Sequence, residues 1–315
     1  MDFKVSILLS TFNGEKYIKQ QIDSLLNQTY KNFNLYIRDD GSTDTTISII
    51  NSINDSRINL LTDSLGNIGP TGSFIELIKN VSSDIYLFCD QDDIWLSNKL
   101  EKTVNSIINI GINNLILFHS DLELVDSNMT HYNLTFNCLE KIRIPEDYEF
   151  KQLLLQNCVV GCTIGITNSL VEKSKVREIN YNHIAMHDWW FALVAKKFGI
   201  VEFSETPTIL YRQHANNTSG SSSRSYKSKI LKLLNFLIYL NRIIKYKNKI
   251  INQTKLFYET FEIELDKKEK AVCEIIINSN NENFFNVSRT FFINKIKFKN
   301  FHMNLFMLIL YMFKK

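Results

Sequence analysis

The run Leu87-Phe88-Cys89-Asp90-Gln91-Asp92-Asp93-Ile94-Trp95 carries an apolar strand straight into three carboxylates. Crowded carboxylates repel one another unless a cation or a solvated face neutralises them. The same design recurs along the first 120 residues. Lys4 to Ser10 runs into Ser10-Thr11-Phe12-Asn13, Phe33 to Arg38 into Asp39-Asp40, and Leu115 to His119 into Ser120-Asp121. Between these runs, and around a short strand at Ile58 to Leu61, the spacing predicts helices at Gly14 to Gln28, Thr45 to Ile53, Ser73 to Asn80 and Ser97 to Ile108. Asp44 and Ser97 are the expected caps of the second and fourth. Strands alternating with helices predict an α/β fold, a mostly parallel Rossmann-like sheet flanked by helices. Ligands of such sheets bind beyond the carboxyl ends of the strands, where all four polar clusters fall.

The rest of the chain is less regular. Glu149 to Leu155 and Trp189 to Phe198 read as helices, Val159 to Ile166 as a strand, and Thr208 to Arg212 as a last short strand. The loop His214 to Gly220 and the string Ser221-Ser222-Ser223 mark a boundary, giving a domain 1–220 and a helical region 221–315. In that region Tyr226 to Ile251 reads as a basic, apolar helix. Phe301 to Phe313 is apolar but shorter than a membrane span.

Charge divides at nearly the same place. Residues 1–205 hold 17 Lys+Arg against 26 Asp+Glu, and residues 206–315 hold 19 against 7. A basic, apolar second part fits attachment to an anionic membrane surface, or a homodimer contact. Five scattered cysteines form no metal-ligand or disulfide pattern, which suits a reducing compartment. Met1-Asp2-Phe3-Lys4 opens directly into a strand pattern, with no signal peptide expected. The expected location is cytoplasmic, peripheral at the inner face of the cell membrane, and no nucleic-acid partner is expected.

Four clusters bear chemistry. Asp92, helped by Asp90 or Asp93, suits Mg²⁺ or Mn²⁺ held against a diphosphate; the plainer alternative is a solvated turn with Asp93 capping the next helix. Asp40 at its strand end suits a nucleobase N–H or a ribose hydroxyl, whereas Asp44 reads as a cap alone. In His187-Asp188-Trp189-Trp190, a carboxylate in a partly dry wall suits a general base and the tryptophans suit a sugar face. The alternative there is a helix cap ahead of core aromatics. In Tyr211-Arg212-Gln213-His214, Arg212 or His214 suits a phosphate or a metal, although a lone His is more often structural. Asn67, within Gly66-Asn67-Ile68-Gly69-Pro70, either meets a ligand through a close backbone or belongs to a plain turn.

Together, Val5 to Asn13, Asp39 to Asp44, Asp90 to Asp93 and His187 to Trp190 resemble the family 2 glycosyltransferases of the GT-A fold, in the family's order and over roughly residues 1–220. Asp90 to Trp95, His187 to Trp190 and Tyr211 to His214 look most like bacterial rhamnosyltransferases of polysaccharide and O-antigen assembly. The resemblance implies that Ser10, Phe12, Asn13, Asp40 and Asn67 hold the donor nucleotide, with Asp90 near the ribose. It implies that Asp92 coordinates the metal and that Asp188 is the catalytic base. His187, Trp189 and Arg212 would face the acceptor. His187 departs from the family's usual Glu-Asp pair. The Gln-x-x-Arg-Trp motif of processive synthases is absent, which implies transfer of a single sugar. The implied reaction is inverting and metal-dependent, moving rhamnose or another hexose from a dTDP- or UDP-linked donor to a lipid-linked glycan. A nucleotidyltransferase or a noncatalytic sugar-binding protein is the alternative.

Overall fold

A computed structural model describes residues 3–140, 149–214, 229–282 and 284–297. Ser221 to Ser223, most of the loop after His214 and the run Phe301 to Phe313 lie outside them. Among the described residues the chain forms two compact units. The first comprises Met1–Arg143, Val159–Asn182 and Met186–Gly220; the second comprises Ile144–Cys158, His183–Ala185 and Ser221–Lys315.

The first unit opens with β1 (Val5–Thr11), α1 (Ile18–Leu26), β2 (Asn34–Asp39), α2 (Thr46–Asn51) and β3 (Ile58–Leu61). It continues through α3 (Gly69–Asn80), β4 (Ile85–Cys89), the two-residue β5 (Ile94–Trp95), α4 (Lys99–Ile110) and β6 (Ile116–Ser120). Then come β7 (Glu123–Val125), β8 (His131–Thr135) and α5 (Phe136–Glu140). After the second unit's α6 (Phe150–Leu153), it closes with β9 (Gly165–Thr167), α7 (Asn168–Ser174), α8 (His187–Phe198), β10 (Ile200–Ser204) and β11 (Ile209–Arg212).

The main sheet has the order β10-β6-β9-β4-β1-β2-β3, and β5-β11-β7-β8 form a second, smaller sheet. Every pairing in the main sheet is parallel except those of β9, which runs antiparallel between β4 and β6. All five residues of β4 are buried, as a strand covered on both faces requires. The chain leaves β1 toward β2 and β3, then crosses to β4 on β1's other side. That reversal opens a crevice at the carboxyl ends of β1 and β4. Register does the rest. Leu9 pairs with Cys89 and Thr11 with Asp39, so Ser10 lies level with Asp90, and Phe12 with Asp40.

Three local expectations shift. The fourth helix begins at Lys99 behind Asn98, and Ser97 instead offers its carbonyl to Thr29 N at 2.8 Å. Asp93 caps nothing, because the chain continues extended into β5, which pairs with β11. The run from Val159 splits into a 3₁₀ turn at Gly161–Thr163 and the short β9. Glycines force that split. A Cβ on Gly165 would lie 2.4 Å from Thr103 Cγ2, and one on Gly161 would lie 3.1 Å from His187 Nε2. Asp44 does hold the start of α2, accepting from Thr46 N at 3.0 Å.

The second unit contains α6, the long α9 (Lys229–Phe261), α10 (Lys267–Asn278) and α11 (Phe284–Ile293). Phe257, Phe261, Cys273, Ile276, Val287 and Phe291 are buried in it. Asp266 and Glu269 form a reciprocal capping box that starts α10.

Gly199 joins α8 to the edge strand β10, and a Cβ there would stand 2.0 Å from Leu115 O. That atom is backbone and accepts from Ile200 N, so it cannot move aside. Gly199→Ala is expected to destabilise the protein by about 1–3 kcal/mol, read as a lower denaturation midpoint. An unchanged midpoint would show that the α8–β10 junction is loose.

Candidate functional site

A cleft of about 740 Å³ lies at the carboxyl ends of β1, β2 and β4. Ser10, Phe12, Asn13, Asp40, Asn67, Asp90, Asp92 and His214 all line it. These residues come from five separate stretches of chain, and the strand ends gather them.

Its acidic wall is graded. Asp92 keeps a 21 % exposed side chain and meets His214 Nε2 at 2.8 Å. Asp90 lines the cleft beside it, and its carboxyl is pushed up to about 7 by burial first, then by the charges of Asp92 and Asp188. Asp93 is 1 % exposed and turns away from the cleft. It accepts from Arg212 N at 3.2 Å and from the Cys162 thiol, and burial with its two acidic neighbours raises it far above the usual carboxylate range. Beneath it Lys99 is fully buried, 4.6 Å from the Trp95 ring, and desolvation brings its ammonium down to about 8.

Carboxylate oxygens with one imidazole nitrogen form a donor set suited to Mg²⁺ or Mn²⁺. Asp90, Asp92 and His214 all line the cleft and carry donors of that kind, and a cation there would relieve the crowding that pushes Asp90 up. Asp93 stands apart from the cleft lining. Its donor atoms lie within 4.8 Å of those of Asp90 and Cys162. Burial holds the Cys162 thiol in its protonated form, however, so Asp93 and Cys162 make a hydrogen-bonded pair behind the cleft.

Asp188 sits in the first turn of α8, where the helix N-terminus favours a carboxylate. Its Oδ1 accepts from Trp189 N at 2.6 Å, and its charge reaches Asp90. The chain around it does not present an acceptor platform. Trp189 is 3 % exposed and Trp190 is fully buried, its indole N–H donating to Ser174 O at 3.0 Å, so neither offers a face to a sugar. His187 is wedged between Phe74 and Phe88, at centroid distances of 4.2 and 4.9 Å, and neither ring nitrogen has a hydrogen-bond partner. Burial lowers its pKa to about 3, so it is a neutral aromatic wall and no acceptor contact.

Arg212 is likewise a strut. Its guanidinium is 2 % exposed, lies 4.4 Å from the Tyr17 ring centroid, and donates to Asp92 O, Ser127 O and Gln20 Oε1 at 2.9–3.0 Å. It therefore fixes the backbone of the acidic run instead of meeting an acceptor or a phosphate.

At the other end, buried Arg38 grips Asp63 through Nε and Nη2 and donates to Asp40 Oδ1 at 2.7 Å. Asp40 also accepts from Ile68 N and Gly69 N, each at 2.8 Å. These bonds pin the 66–69 loop, with Asn67 in it, to the end of β2. With four acceptor positions on a carboxylate, about one is left on Oδ2 for a ligand N–H or O–H. Asn13, at φ +47°, accepts from Thr43 N at 2.9 Å and so ties the β1 exit to the turn after β2. Ser10 Oγ donates to Ser73 Oγ at 2.8 Å.

Gln91 escaped notice in the sequence. Its Oε1 accepts from Thr11 Oγ1 at 2.6 Å and Phe12 N at 2.9 Å, and its Nε2 donates to Phe12 O at 3.0 Å. The amide thus clamps the acidic run onto the β1 exit loop. A Cβ on Gly14 would lie 2.3 Å from Gln91 Oε1, so that glycine makes room for the clamp. Phe12 is left 44 % exposed in the cleft, a flat face beside Asp40.

His187→Phe keeps a ring in the same slot and removes a titrating group. The parent's unfolded chain takes up a proton on this imidazole below its ordinary value of 6.5, while the folded chain does so only near 3. Parent stability therefore carries a loss as pH falls through that window, by up to ~1.4 kcal/mol per pH unit for one proton. Relative to the parent, His187→Phe is expected to gain stability as pH drops from 6.5 toward 4, measured by urea denaturation. A pH-independent difference would place the imidazole in contact with water.

The family model for glycosyl transferase family 2 matches residues 6–174. The UDP-Glc:alpha-D-GlcNAc-diphosphoundecaprenol beta-1,3-glucosyltransferase WfgD of Escherichia coli is 27 % identical over 71 % of this chain and 81 % of its own length. The dTDP-rhamnosyl transferase RfbG of Shigella flexneri is 30 % identical over 71 % of this chain and 78 % of its own. Among solved structures, S. aureus TarS 1-349 in complex with UDP-GlcNAc superposes with a TM-score of 0.54 at 15 % identity, over 93 % of this chain and 89 % of that one. The fold is that of the GT-A enzymes. With more than half of its length matched by the family model, the chain belongs to glycosyl transferase family 2.

Proposed function

We propose that this glycosyltransferase moves one sugar, rhamnose or another hexose, from a dTDP- or UDP-linked donor to a lipid-linked glycan during bacterial surface polysaccharide synthesis, with inversion at the anomeric carbon. The observation that carries the reading is a cleft lined by Phe12, Asp40, Asp90 and Asp92, with Asp188 behind it near enough for its charge to raise Asp90. The activities of the relatives support the donor and acceptor classes: one uses UDP-Glc and a diphosphoundecaprenol acceptor, the other is a dTDP-rhamnosyl transferase. The family match favours sugar transfer over nucleotidyl transfer.

In this reading Phe12 faces the base, and the free acceptor of Asp40 meets a base N–H or a ribose hydroxyl. Asp90, Asp92 and His214 hold Mg²⁺ or Mn²⁺, which would neutralise charge on the diphosphate when bound. Asp188 accepts the proton of the acceptor hydroxyl as its oxygen attacks from the side opposite the leaving nucleotide. Its short bond from Trp189 N fixes the orientation of the carboxylate. Gly161 keeps the space beside Asp188 open, since a Cβ there would stand 3.4 Å from Asp188 Oδ2.

Asp188→Asn is expected to lower kcat by about 10²–10⁴-fold with little change in donor KM, measured by nucleotide release in the presence of acceptor. Retained turnover would remove Asp188 from the base role. Asp92→Asn is expected to abolish stimulation by Mn²⁺ or Mg²⁺. A variant that still responds fully to the ion would transfer the metal to other residues. Gln91→Ala, which frees the β1 exit loop, is expected to raise donor KM about tenfold, in line with ~1.5 kcal/mol for its lost hydrogen bonds. An unchanged KM with lower kcat would mean that the clamp serves the chemical step instead.

A further inference from the structure

The half-buried ring of Tyr17, just ahead of α1, meets two side chains from the far end of the same unit. The His214 ring stacks on it at a centroid distance of 5.2 Å, with the planes 30° apart. The Arg212 guanidinium lies 4.4 Å from the same centroid. Both of these side chains hold Asp92, each by a different group. Arg212 Nε donates to the Asp92 carbonyl at 2.9 Å, and His214 Nε2 meets Asp92 Oδ2 at 2.8 Å. One phenol ring thus backs both the main-chain anchor and the carboxylate anchor of Asp92.

Tyr17 is itself well fixed. Its N–H donates to Gly14 O at 3.0 Å, and its carbonyl accepts from Gln21 N at 3.1 Å. Further along α1, Gln20 Oε1 accepts from Arg212 Nη2 at 2.9 Å, and Ser24 Oγ accepts from Trp95 N at 3.1 Å. Tyr17, Gln20 and Ser24 follow the i, i+3, i+7 spacing of one helix stripe. That stripe supports the chain from Asp92 to Trp95.

His214 gains most from such support. β11 ends at Arg212, and Gln213 N still donates to Val125 O at 2.8 Å, but His214 follows beyond the strand. An imidazole bonded through Nε2 can turn about that bond, and a stacked ring limits the turning. Histidines that ligate metals depend on outer contacts to orient the ring. Lys16 also lies over Tyr17, with Nζ 4.9 Å from the centroid, but an ammonium has no lone pair to offer a cation.

The geometry points to Tyr17 as a positioning residue that orients His214, beside Asp92, toward a divalent cation. The ring makes these contacts, so the hydroxyl is not required for them. The role rests on the metal site proposed above and goes beyond it by naming a residue outside the donor set.

The test adds Mn²⁺ alone to the full chain and reads the free ion from its electron paramagnetic resonance signal. Tyr17→Leu is expected to weaken binding by about tenfold or more, the usual cost of losing a contact that orients a metal ligand. Tyr17→Phe keeps the affinity, because the ring remains. His214→Ala weakens binding as well, and adding Tyr17→Leu to it costs little more, because the two side chains act through one contact. Parent-like binding by Tyr17→Leu overturns the inference. So does a loss from Tyr17→Leu that adds in full to that of His214→Ala, which makes the ring's effect independent of the imidazole. Where Tyr17→Leu lowers the urea midpoint, Tyr17→Met replaces it, and parent-like Mn²⁺ binding by that variant counts in the same way. Asp92→Asn separates the two proposals. A parent that binds no Mn²⁺, or an Asp92→Asn variant that binds it as the parent does, sinks the metal site and the role of Tyr17 with it. Lost binding in Asp92→Asn with parent-like binding in Tyr17→Leu removes the role of Tyr17 alone.

Discussion

Like-charge repulsion among four carboxylates is the constraint around which the first unit is arranged. Asp90, Asp92, Asp93 and Asp188 lie near enough to perturb one another, and a low-dielectric wall cannot hold four bare charges. Each is handled differently. Asp92 meets an imidazole, and Asp188 sits at a helix N-terminus with a backbone N–H on one oxygen. Asp93 is turned inward onto a thiol and a backbone amide, above buried Lys99. Asp90 is left to respond to its neighbours, with its carboxyl raised to about 7.

Holding the cluster in place takes side chains that touch no ligand. Arg212 anchors the carbonyl of Asp92 from the far end of the domain, and Gln91 ties the acidic run to the β1 exit. Arg38 does for Asp40 and the 66–69 loop what Arg212 does for the acidic run. Buried guanidinium groups suit this work because five donors in a rigid fork can satisfy several carbonyls and carboxylates at once. The cleft is preorganised from behind, and Asp40, which faces it, is left with a spare acceptor.

The strand ends were legible in the sequence because period and polarity change together there: an apolar run stops, and Asp, Ser or Asn begins. Ser10, Phe12, Asn13, Asp40, Asp90 and Asp92, named from those ends, line one cleft together with Asn67 and His214, named from a turn and from the Tyr211–His214 stretch. Side-chain direction was not legible. Asp92 and Asp93 are adjacent in a run of acids, and only the pairing of β5 with β11 turns the second one inward. Arg212 reads as a phosphate ligand until its partner, 120 residues earlier in the chain, is known. Gln91 carried no signal, because its three bonds go to residues about 80 positions away, and an amide between two aspartates looks like a spacer. The tryptophans after Asp188 were ambiguous for a related reason. An aromatic pair in the first turn of a helix serves a sugar or a core equally well, and here the packing of α8 against the sheet makes them core.

The same charge argument explains His187, the residue that departs from the family's usual Glu-Asp pair. Its slot lies between two phenyl rings and against Gly161, with no hydrogen-bond donor supplied to it. A glutamate there would be a fifth carboxylate beside Asp188, in a site without a partner, and would have to be protonated or expelled. A neutral imidazole fills the same volume as a flat ring and adds no charge. It thereby removes one repulsive neighbour from Asp188. On this account the His in place of Glu keeps the acidic cluster at the four carboxylates the site already accommodates, and it does so by being inert.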